Sequence, residues 1–116
     1  MHELGIAVHI VKEVDKIAAE NKVKAVKSVT LEIGEVSSII PKYLEDVWTW
    51  VCDNRSTYMK GCKLNIIVTR AISFCEDCKN TYSTSAGKIC PHCGGKNTYL
   101  VDGDQTKIKN IEVVDE

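Results

Sequence analysis

The sequence predicts an α/β fold of the α+β type, in which a small three-stranded sheet and two helices carry an inserted cysteine-rich lobe. Three observations lead to this prediction: two stretches with helical spacing of apolar residues, three stretches in which apolar and polar residues alternate, and four cysteines grouped before the last of those stretches. The predicted order is helix, strand, helix, strand, cysteine insert, strand. We therefore expect a main domain made of residues 1–70 and 105–116, and a separate lobe made of residues 71–104.

The first helix is predicted at about residues 3–21, followed by the first strand. Apolar residues in the helix recur at alternating steps of three and four, and charged residues fill the opposite face. The apolar residues with this spacing are Leu4, Ala7, Ile10, Val11, Val14, Ile17 and Ala18. The strand is predicted because Val29, Leu31 and Ile33 alternate with polar residues until Gly34 breaks the pattern.

The second helix is predicted to run from Pro41 to about residue 53. Proline suits the first helical position, where its missing N–H leaves no helical hydrogen bond unmade. The apolar face of this helix consists of Leu44, Val47, Trp48 and Val51. Alternating apolar residues predict two further strands, at residues 64–69 and 108–114, which complete the sheet of the main domain.

The composition excludes several classes of protein. A chain of 116 residues is too short for a large enzyme. A hydrophobic fraction of 44% and a net charge of −1 are typical of a globular protein and give no bulk attraction to nucleic acid or to a membrane. No apolar run approaches the length of a membrane span or a signal peptide core. We therefore expect a cytoplasmic protein.

Four of the six cysteines have the spacing of a zinc site. Cys75 and Cys78 form one Cys-x-x-Cys pair, and Cys90 and Cys93 form a second pair after a spacer of eleven residues. In a reducing compartment such pairs favour metal binding over disulfides. Two such turns supply the tetrahedron of four sulfurs that Zn(II) prefers, and a closed shell of this kind is structural rather than catalytic. The insert is therefore predicted to be a zinc ribbon.

Other features of the insert agree with a structural zinc site. Its apolar residues are too few to fold by burial alone, so metal binding would have to stabilise it. Gly94, directly after the second pair, permits the left-handed backbone that such turns need. His92 could replace a cysteine as a ligand, but an exposed turn residue is the simpler interpretation. Residues 71–100 hold three lysines and two carboxylates, and a four-thiolate zinc centre makes their net charge negative, which argues against binding nucleic acid.

The N-terminal tripeptide Met1-His2-Glu3 offers a second set of metal ligands. The Met1 amine, the His2 amide nitrogen and the His2 imidazole can close adjacent chelate rings, and the Glu3 amide or carboxylate can complete the set. Nitrogen ligands in a plane suit nickel(II) or copper(II). The tripeptide alone does not distinguish such a site from an incidental exposed histidine. His9, two helical turns further on, is interpreted as an exposed helix residue.

Taken together, these features resemble the HypA/HybF family of hydrogenase nickel-incorporation proteins. The resemblance rests on Met1-His2-Glu3-Leu4, on the stretch VTLEIGEV at residues 29–36 with Ser37 and Pro41, on the paired cysteines, and on residues 108–113. It implies a carrier without catalytic activity that passes Ni(II) toward the large subunit of [NiFe]-hydrogenase. The usual partner implied is a HypB-type GTPase, and in some organisms the family also serves urease through its accessory proteins.

By the same resemblance, nickel is held by Met1, His2 and Glu3. Zinc is held by the paired cysteines, namely Cys75, Cys78, Cys90 and Cys93. Cys52 and Cys62 lie outside the family pattern and are expected only to pack or to lie at the surface. The sequence leaves a monomer, a homodimer and a domain-swapped pair open. Two alternative functions also stay open: a zinc-ribbon adaptor for nucleic acid or protein, and a rubredoxin-like electron carrier with iron at the cysteines.

Overall fold

The computed structural model describes residues 2–115, and of His2 it describes the backbone. Two α-helices occur in this range, α1 (His2–Glu20) and α2 (Pro41–Arg55). The strands in chain order are β1 (Ala25–Gly34), β2 (Lys63–Thr69), β3 (Ile72–Cys75), β4 (Thr81–Ser83), β5 (Thr98–Asp102) and β6 (Thr106–Val114). They form two three-stranded sheets, in the orders β2-β1-β6 and β4-β3-β5. The predicted α+β class is confirmed.

The described chain divides into two compact units. The first unit contains the residues up to Leu31, then Ile39–Ile67, then the residues from Lys107 onward. The second unit contains Glu32–Ser38 and Val68–Thr106. The predicted domains, 1–70 with 105–116 and 71–104, stay a prediction about parts that fold independently.

Helix α1 buries one stripe of its surface in the first unit. The buried apolar residues of the stripe are Ala7, Ile10, Val11, Val14 and Ala18. Leu4 and Ile17 were predicted on the same face but are 39% and 42% exposed, because the buried stripe lies to one side of them and includes Glu3 instead. Among the described residues, neither this helix nor α2 is long and apolar enough to cross a membrane.

Helix α2 begins as predicted, with Pro41 in its first turn, and packs against α1. Its buried residues are Leu44, Trp48, Val51 and Cys52, which recur at steps of four, three and one. Val47, predicted on the apolar face, is half-buried. The indole N–H of Trp48 donates a hydrogen bond of 3.2 Å to the carbonyl oxygen of Cys62, so the buried indole has a partner for its one polar group.

Strand β1 lies in the middle of the first sheet. Hydrogen bonds from Lys24 N to Val114 O (2.9 Å) and from Gly34 N to Gln105 O (2.9 Å) at its two ends show that β6 runs antiparallel to it. The predicted apolar face of β1 is buried, since Val29, Leu31 and Ile33 are all at most 1% exposed. The outer strand β2 is less covered: Val68, which the alternation placed on the same side as Leu64 and Ile66, is 56% exposed.

The second sheet carries the paired cysteines. Strand β3 lies between β4 and β5 and is antiparallel to both, with Phe74 opposite Thr81 on one side and Tyr99 on the other. A bulge interrupts the pairing with β5 between Ile72 and Ser73, and a 3-10 helix, Thr84–Ala86, follows β4. Around the paired cysteines the buried hydrophobic cluster consists of Cys75, Tyr82 and Cys90, with Cys78 packed against them.

The two ends of the insert meet within the second unit at a close backbone crossing. Gly103 adopts a φ of +100°, which favours glycine, and a Cβ there would collide with Ala71. A Cβ on Gly34 would collide with the Gly103 backbone. Val36 N donates to Gly103 O at 3.0 Å, so the crossing is also a hydrogen-bonded one. Glycine at positions 34 and 103 therefore allows the backbone segments at the two ends of the insert to lie this close to each other.

Candidate metal centre

The structure brings together the four cysteines that were predicted as zinc ligands. Their Sγ atoms all lie within 4.8 Å of one another. Cys75 Sγ lies 3.6 Å from Cys93 Sγ, and Cys78 Sγ lies 3.6 Å from Cys90 Sγ, so each close pair joins the two Cys-x-x-Cys turns. A tetrahedron with Zn–S bonds of about 2.3 Å has sulfur–sulfur edges of about 3.8 Å. The sulfurs are thus spaced for one tetrahedral metal ion of this size.

The two Cys-x-x-Cys turns have the same backbone conformation. Gly94 follows the second pair with a φ of +74°, as predicted, and Lys79 follows the first pair with a φ of +60°. Lys79 N donates to Cys75 O and Gly94 N donates to Cys90 O, both at 2.8 Å. These bonds close each turn around its own cysteine pair. The left-handed lysine has no counterpart in the sequence prediction, because only glycine signals such a conformation reliably.

Several N–H groups point at the sulfurs. Hydrogen bonds of this kind favour the charged thiolate and orient it toward a metal. The contacts are His92 N to Cys90 Sγ at 3.4 Å, Gly95 N to Cys93 Sγ at 3.4 Å and Asn80 Nδ2 to Cys78 Sγ at 3.5 Å. His92 therefore contacts the four-cysteine centre through its backbone N–H, and its side chain is exposed.

The protonation of the cluster shows why it needs a cation. Burial raises the pKa of Cys78, but hydrogen bonds from the backbone and side chain of Asn80 and from neighbouring thiols lower that pKa to about 7. The backbone N–H of Gly95 lowers the pKa of Cys93, but contacts with the other three sulfurs and burial raise it to about 12. Negative charges 3.6 Å apart repel, so the four thiols cannot all ionise by themselves. A divalent cation removes that repulsion.

A small polar network braces the first Cys-x-x-Cys turn against β5. Glu76 lies inside the turn, and its carboxylate accepts a hydrogen bond of 2.9 Å from the Tyr99 hydroxyl and pairs with Lys79 Nζ at 2.7 Å. Lys79 first, and Tyr99 second, hold the pKa of Glu76 below its usual range. The Tyr99 ring also packs against Phe74, with centroids 5.7 Å apart. The turn is thereby tied to two strands of the sheet.

Two of the three predicted nickel ligands, His2 and Glu3, are the first residues of α1. Met1 lies outside the described residues, and His2 opens the helix with its backbone. Glu3 is only 5% exposed, and its Oε2 accepts a hydrogen bond of 3.1 Å from the backbone N–H of Ile40. Ile40 is the N-cap residue of α2 and has no capping side chain of its own. The Glu3 carboxylate therefore stabilises the positive end of α2, a role that the sequence prediction missed.

We predict that Glu3→Ala lowers the free energy of unfolding by about 1 kcal/mol, because the N-terminus of α2 loses the anionic acceptor of a part-buried hydrogen bond. Glu3→Gln keeps an acceptor oxygen and should lose less. Urea unfolding measures both changes, and Glu13→Ala is the matched control, since Glu13 lies on the exposed side of the same helix. A Glu3→Ala variant as stable as this control would show that the capping contact contributes nothing.

The remaining cysteines and histidines are not part of the four-cysteine centre. Cys52 and Cys62 are buried in the first unit, which agrees with a packing role. His9 is exposed on α1. No described group of three or more histidines, cysteines or carboxylates other than the four cysteines is placed to hold a metal ion.

The chain matches known proteins along nearly its whole length. A family model described as hydrogenase/urease nickel incorporation, metallochaperone, hypA matches residues 1–113. The hydrogenase maturation factor HypA of Actinobacillus succinogenes is 32% identical and HybF of Proteus vulgaris is 34% identical, each over 97% of this chain and 99% of the relative. HypA of Trichodesmium erythraeum is 36% identical over 97% of this chain and 96% of the relative.

The fold is also that of solved structures. The solution structure of the Ni metallochaperone HypA from Helicobacter pylori superposes with a TM-score of 0.74 and 19% identity, over 98% of each chain. A second HypA solution structure gives a TM-score of 0.79 and 21% identity, over 100% of this chain and 98% of the other. Family and relatives are metallochaperones and maturation factors, not enzymes. The chain belongs to the HypA family of nickel-incorporation metallochaperones.

Proposed function

We propose that this protein is a cytoplasmic nickel carrier that binds Ni(II) at Met1, His2 and Glu3 and delivers it for the maturation of [NiFe]-hydrogenase. Zn(II) at the four-cysteine centre has a structural role. The observation that carries the proposal is the family match over residues 1–113, which includes both the N-terminal tripeptide and the paired cysteines. The receiving partners are a HypB-type GTPase and the hydrogenase large subunit, and urease accessory proteins are further candidates.

The chemistry of the four cysteines supports zinc as the resident ion. Four sulfurs with 3.6 Å contacts fit a tetrahedral ion with bonds of about 2.3 Å. Four protein ligands close the shell, so no position is left for a substrate or for a transferred metal. We therefore assign the cargo metal to the N-terminus and not to this centre. Iron would fit the same sulfurs, but it would give the purified protein a red colour.

The structure supports a backbone role for Glu3 in the nickel site. Its carboxylate already accepts a hydrogen bond from Ile40 at the start of α2. The first four N–H groups of a helix have no acceptor in a preceding turn, so the helical hydrogen bonds of α1 do not compete with metal binding at the terminal amide nitrogens. We propose that Glu3 contributes its amide nitrogen, alongside the Met1 amine and the His2 amide and imidazole nitrogens. Such a planar nitrogen field suits Ni(II).

Substitution of His2 tests whether the two metals occupy separate sites. We expect His2→Ala to lose nickel binding and to keep one zinc per chain, because the imidazole closes the nickel chelate and takes no part in the four-sulfur shell. Calorimetric nickel titration and elemental analysis measure the two metals. His9→Ala is the matched control, since His9 is an exposed histidine of the same helix and should leave both metals unchanged.

Two results would contradict this assignment. Loss of both metals in His2→Ala would mean that the sites are not independent. Unchanged nickel affinity would move the cargo site away from the N-terminus. The adaptor alternative would gain support from retention on nucleic acid that weakens with added salt.

A further inference from the structure

Cys52 and Cys62 form a second thiol pair, in the first unit and separate from the four-cysteine centre. Cys52 is fully buried and Cys62 is 5% exposed. Both residues line one cavity of about 450 Å³, and each thiol is the largest single influence on the pKa of the other. We propose that this pair is an oxidation site, which hydrogen peroxide converts to an intramolecular disulfide. The proposal does not rest on the nickel function.

The segment between the two cysteines forms hydrogen bonds with Asp15 of α1 and within itself. The carboxylate of Asp15, on α1, accepts hydrogen bonds from the Ser56 hydroxyl at 2.7 Å and from the Thr57 and Tyr58 backbone N–H groups at 3.2 and 3.3 Å. The Ser56 hydroxyl oxygen in turn accepts the N–H of Met59 at 2.9 Å. The loop that leads from α2 to Cys62 is therefore ordered by its own contacts, whether or not the sulfurs are joined.

The backbone N–H and the backbone carbonyl of Cys62 are both hydrogen-bonded. Its N–H donates to Met59 O at 3.0 Å, and its carbonyl accepts the Trp48 indole N–H at 3.2 Å. The neighbouring Gly61 N–H donates to the Asp53 carboxylate at 3.2 Å, and Asp53 is adjacent to Cys52 on α2. These contacts hold the backbone of Cys62 beside the turn of α2 that carries Cys52. A disulfide of about 2.05 Å forms between cysteines that are neighbours in this way.

The electrostatics give the two sulfurs different roles. The hydrogen bond from Cys52 lowers the pKa of Cys62, against burial, which raises it. The same hydrogen bond, burial, and the negative charges of Asp53 and Asp15 all raise the pKa of Cys52. Cys62 is also the more exposed of the two. Since the thiolate is the nucleophile, Cys62 is the sulfur that reacts first and Cys52 is the resolving thiol.

The reaction balances with peroxide as the oxidant. The Cys62 thiolate attacks one peroxide oxygen, the O–O bond breaks, and the leaving hydroxide takes a proton from solvent to become water. Cys62 is then a sulfenic acid. The Cys52 sulfur attacks the Cys62 sulfur, the S–O bond breaks, and the Cys52 proton leaves with the departing hydroxide as a second water. The two sulfurs supply the two electrons, and exchange with a reduced thiol restores the pair.

Peptide mapping of the zinc-loaded full chain tests the proposal. After treatment with a stoichiometric amount of peroxide, remaining thiols are alkylated under denaturing conditions and the protein is digested without reductant. We expect the Cys52 and Cys62 peptides to be joined, with a mass two hydrogens lower than their sum, while zinc is retained. In Cys52→Ser the sulfenic acid of Cys62 should persist and be trapped by dimedone, and in Cys62→Ser no trapped adduct should form at Cys52.

The unmodified protein alone can overturn the proposal, so the test does not depend on either variant folding. If peroxide released zinc and oxidised the four-cysteine centre while Cys52 and Cys62 were both recovered as alkylated thiols, the pair would have no special reactivity. A disulfide between Cys52 or Cys62 and any other cysteine would also refute the assignment. The joined Cys52 and Cys62 peptides with zinc still bound would establish it.

Discussion

Removal of the metal from the four-cysteine centre is expected to unfold the second unit while the first unit stays folded. The buried hydrophobic cluster at the metal centre consists of Cys75, Tyr82 and Cys90, with Cys78 packed against them. Three of these four residues are proposed zinc ligands, so the core and the metal site are largely the same atoms. Structural zinc sites in small modules contribute about 10–16 kcal/mol of apparent binding free energy at neutral pH. Little apolar burial is left to replace that contribution.

The variant that tests this expectation is Cys90→Ala, compared with His92→Ala in the same turn. His92 has an exposed side chain and contacts the cluster through its backbone, so its variant should keep zinc. In Cys90→Ala the dispersed amide signals of residues around Tyr82 and Tyr99 should collapse. The Trp48 indole signal should persist, because its hydrogen bond to Cys62 O belongs to the first unit. Dispersed signals around Tyr82 in zinc-free protein would contradict the prediction.

The main elements of the fold could be predicted because their signals are local. Predicted helices at about 3–21 and 41–53 correspond to His2–Glu20 and Pro41–Arg55, and the strands predicted at 64–69 and 108–114 correspond to Lys63–Thr69 and Thr106–Val114. Apolar periodicity marks such elements wherever one face is buried. Strand β1 begins at Ala25, before the predicted alternation starts. The prediction missed this start because the buried positions Val26, Ser28 and Val29 do not alternate along the strand.

The three short strands of the second unit were not predicted individually. Their residues show no sustained alternation, and their positions follow from the need to bring four sulfurs within 4.8 Å. The ligand group itself was predicted because two Cys-x-x-Cys turns are a local signal for tetrahedral binding. Its assignment to zinc stays a proposal.

Two features of the sites depend on tertiary contacts that no sequence pattern shows. Glu3 caps α2 through Ile40, the N-cap residue 37 positions later, and nothing near either residue signals the pairing. Cys62 lies beside the turn of α2 that carries Cys52 because of contacts such as those of Asp15 with Ser56 and of the Trp48 indole with the Cys62 carbonyl. Isolated cysteines have no spacing rule of the kind that paired ones have, so their proximity could be found only in the structure.

Acetylation of the Met1 amine is expected to abolish high-affinity nickel binding and to leave zinc in place. The acetyl group keeps the His2 imidazole, the helix and the four-cysteine centre, but converts the Met1 amine into an amide without a basic lone pair and adds no new amine. The proposed chelate then loses one of its nitrogen donors and the ring that it closes. We expect nickel affinity to fall by about a hundredfold or more, equivalent to about 2.7 kcal/mol.

The pH dependence of nickel binding provides an independent check on the same amine. An α-amine with a pKa of about 7.7 to 8.0 and an imidazole with a pKa of about 6.5 must both lose their protons to bind nickel. Affinity in protein that begins at Met1 should therefore weaken as the pH falls from about 8 toward about 6. The acetylated protein lacks the amine titration, so its residual affinity should change less above about pH 7.

Nickel titration by calorimetry compares the two proteins, and zinc content and thermal stability are measured in both. The stability control matters because Glu3 also caps α2 through its hydrogen bond to Ile40, so a displaced N-terminus could act through the fold. Equal thermal stability with weakened nickel binding would separate the chelate from the cap. Equal nickel affinity in the two proteins would refute a role for the Met1 amine and would move the site to side chains such as His9 or His92, each of which is exposed.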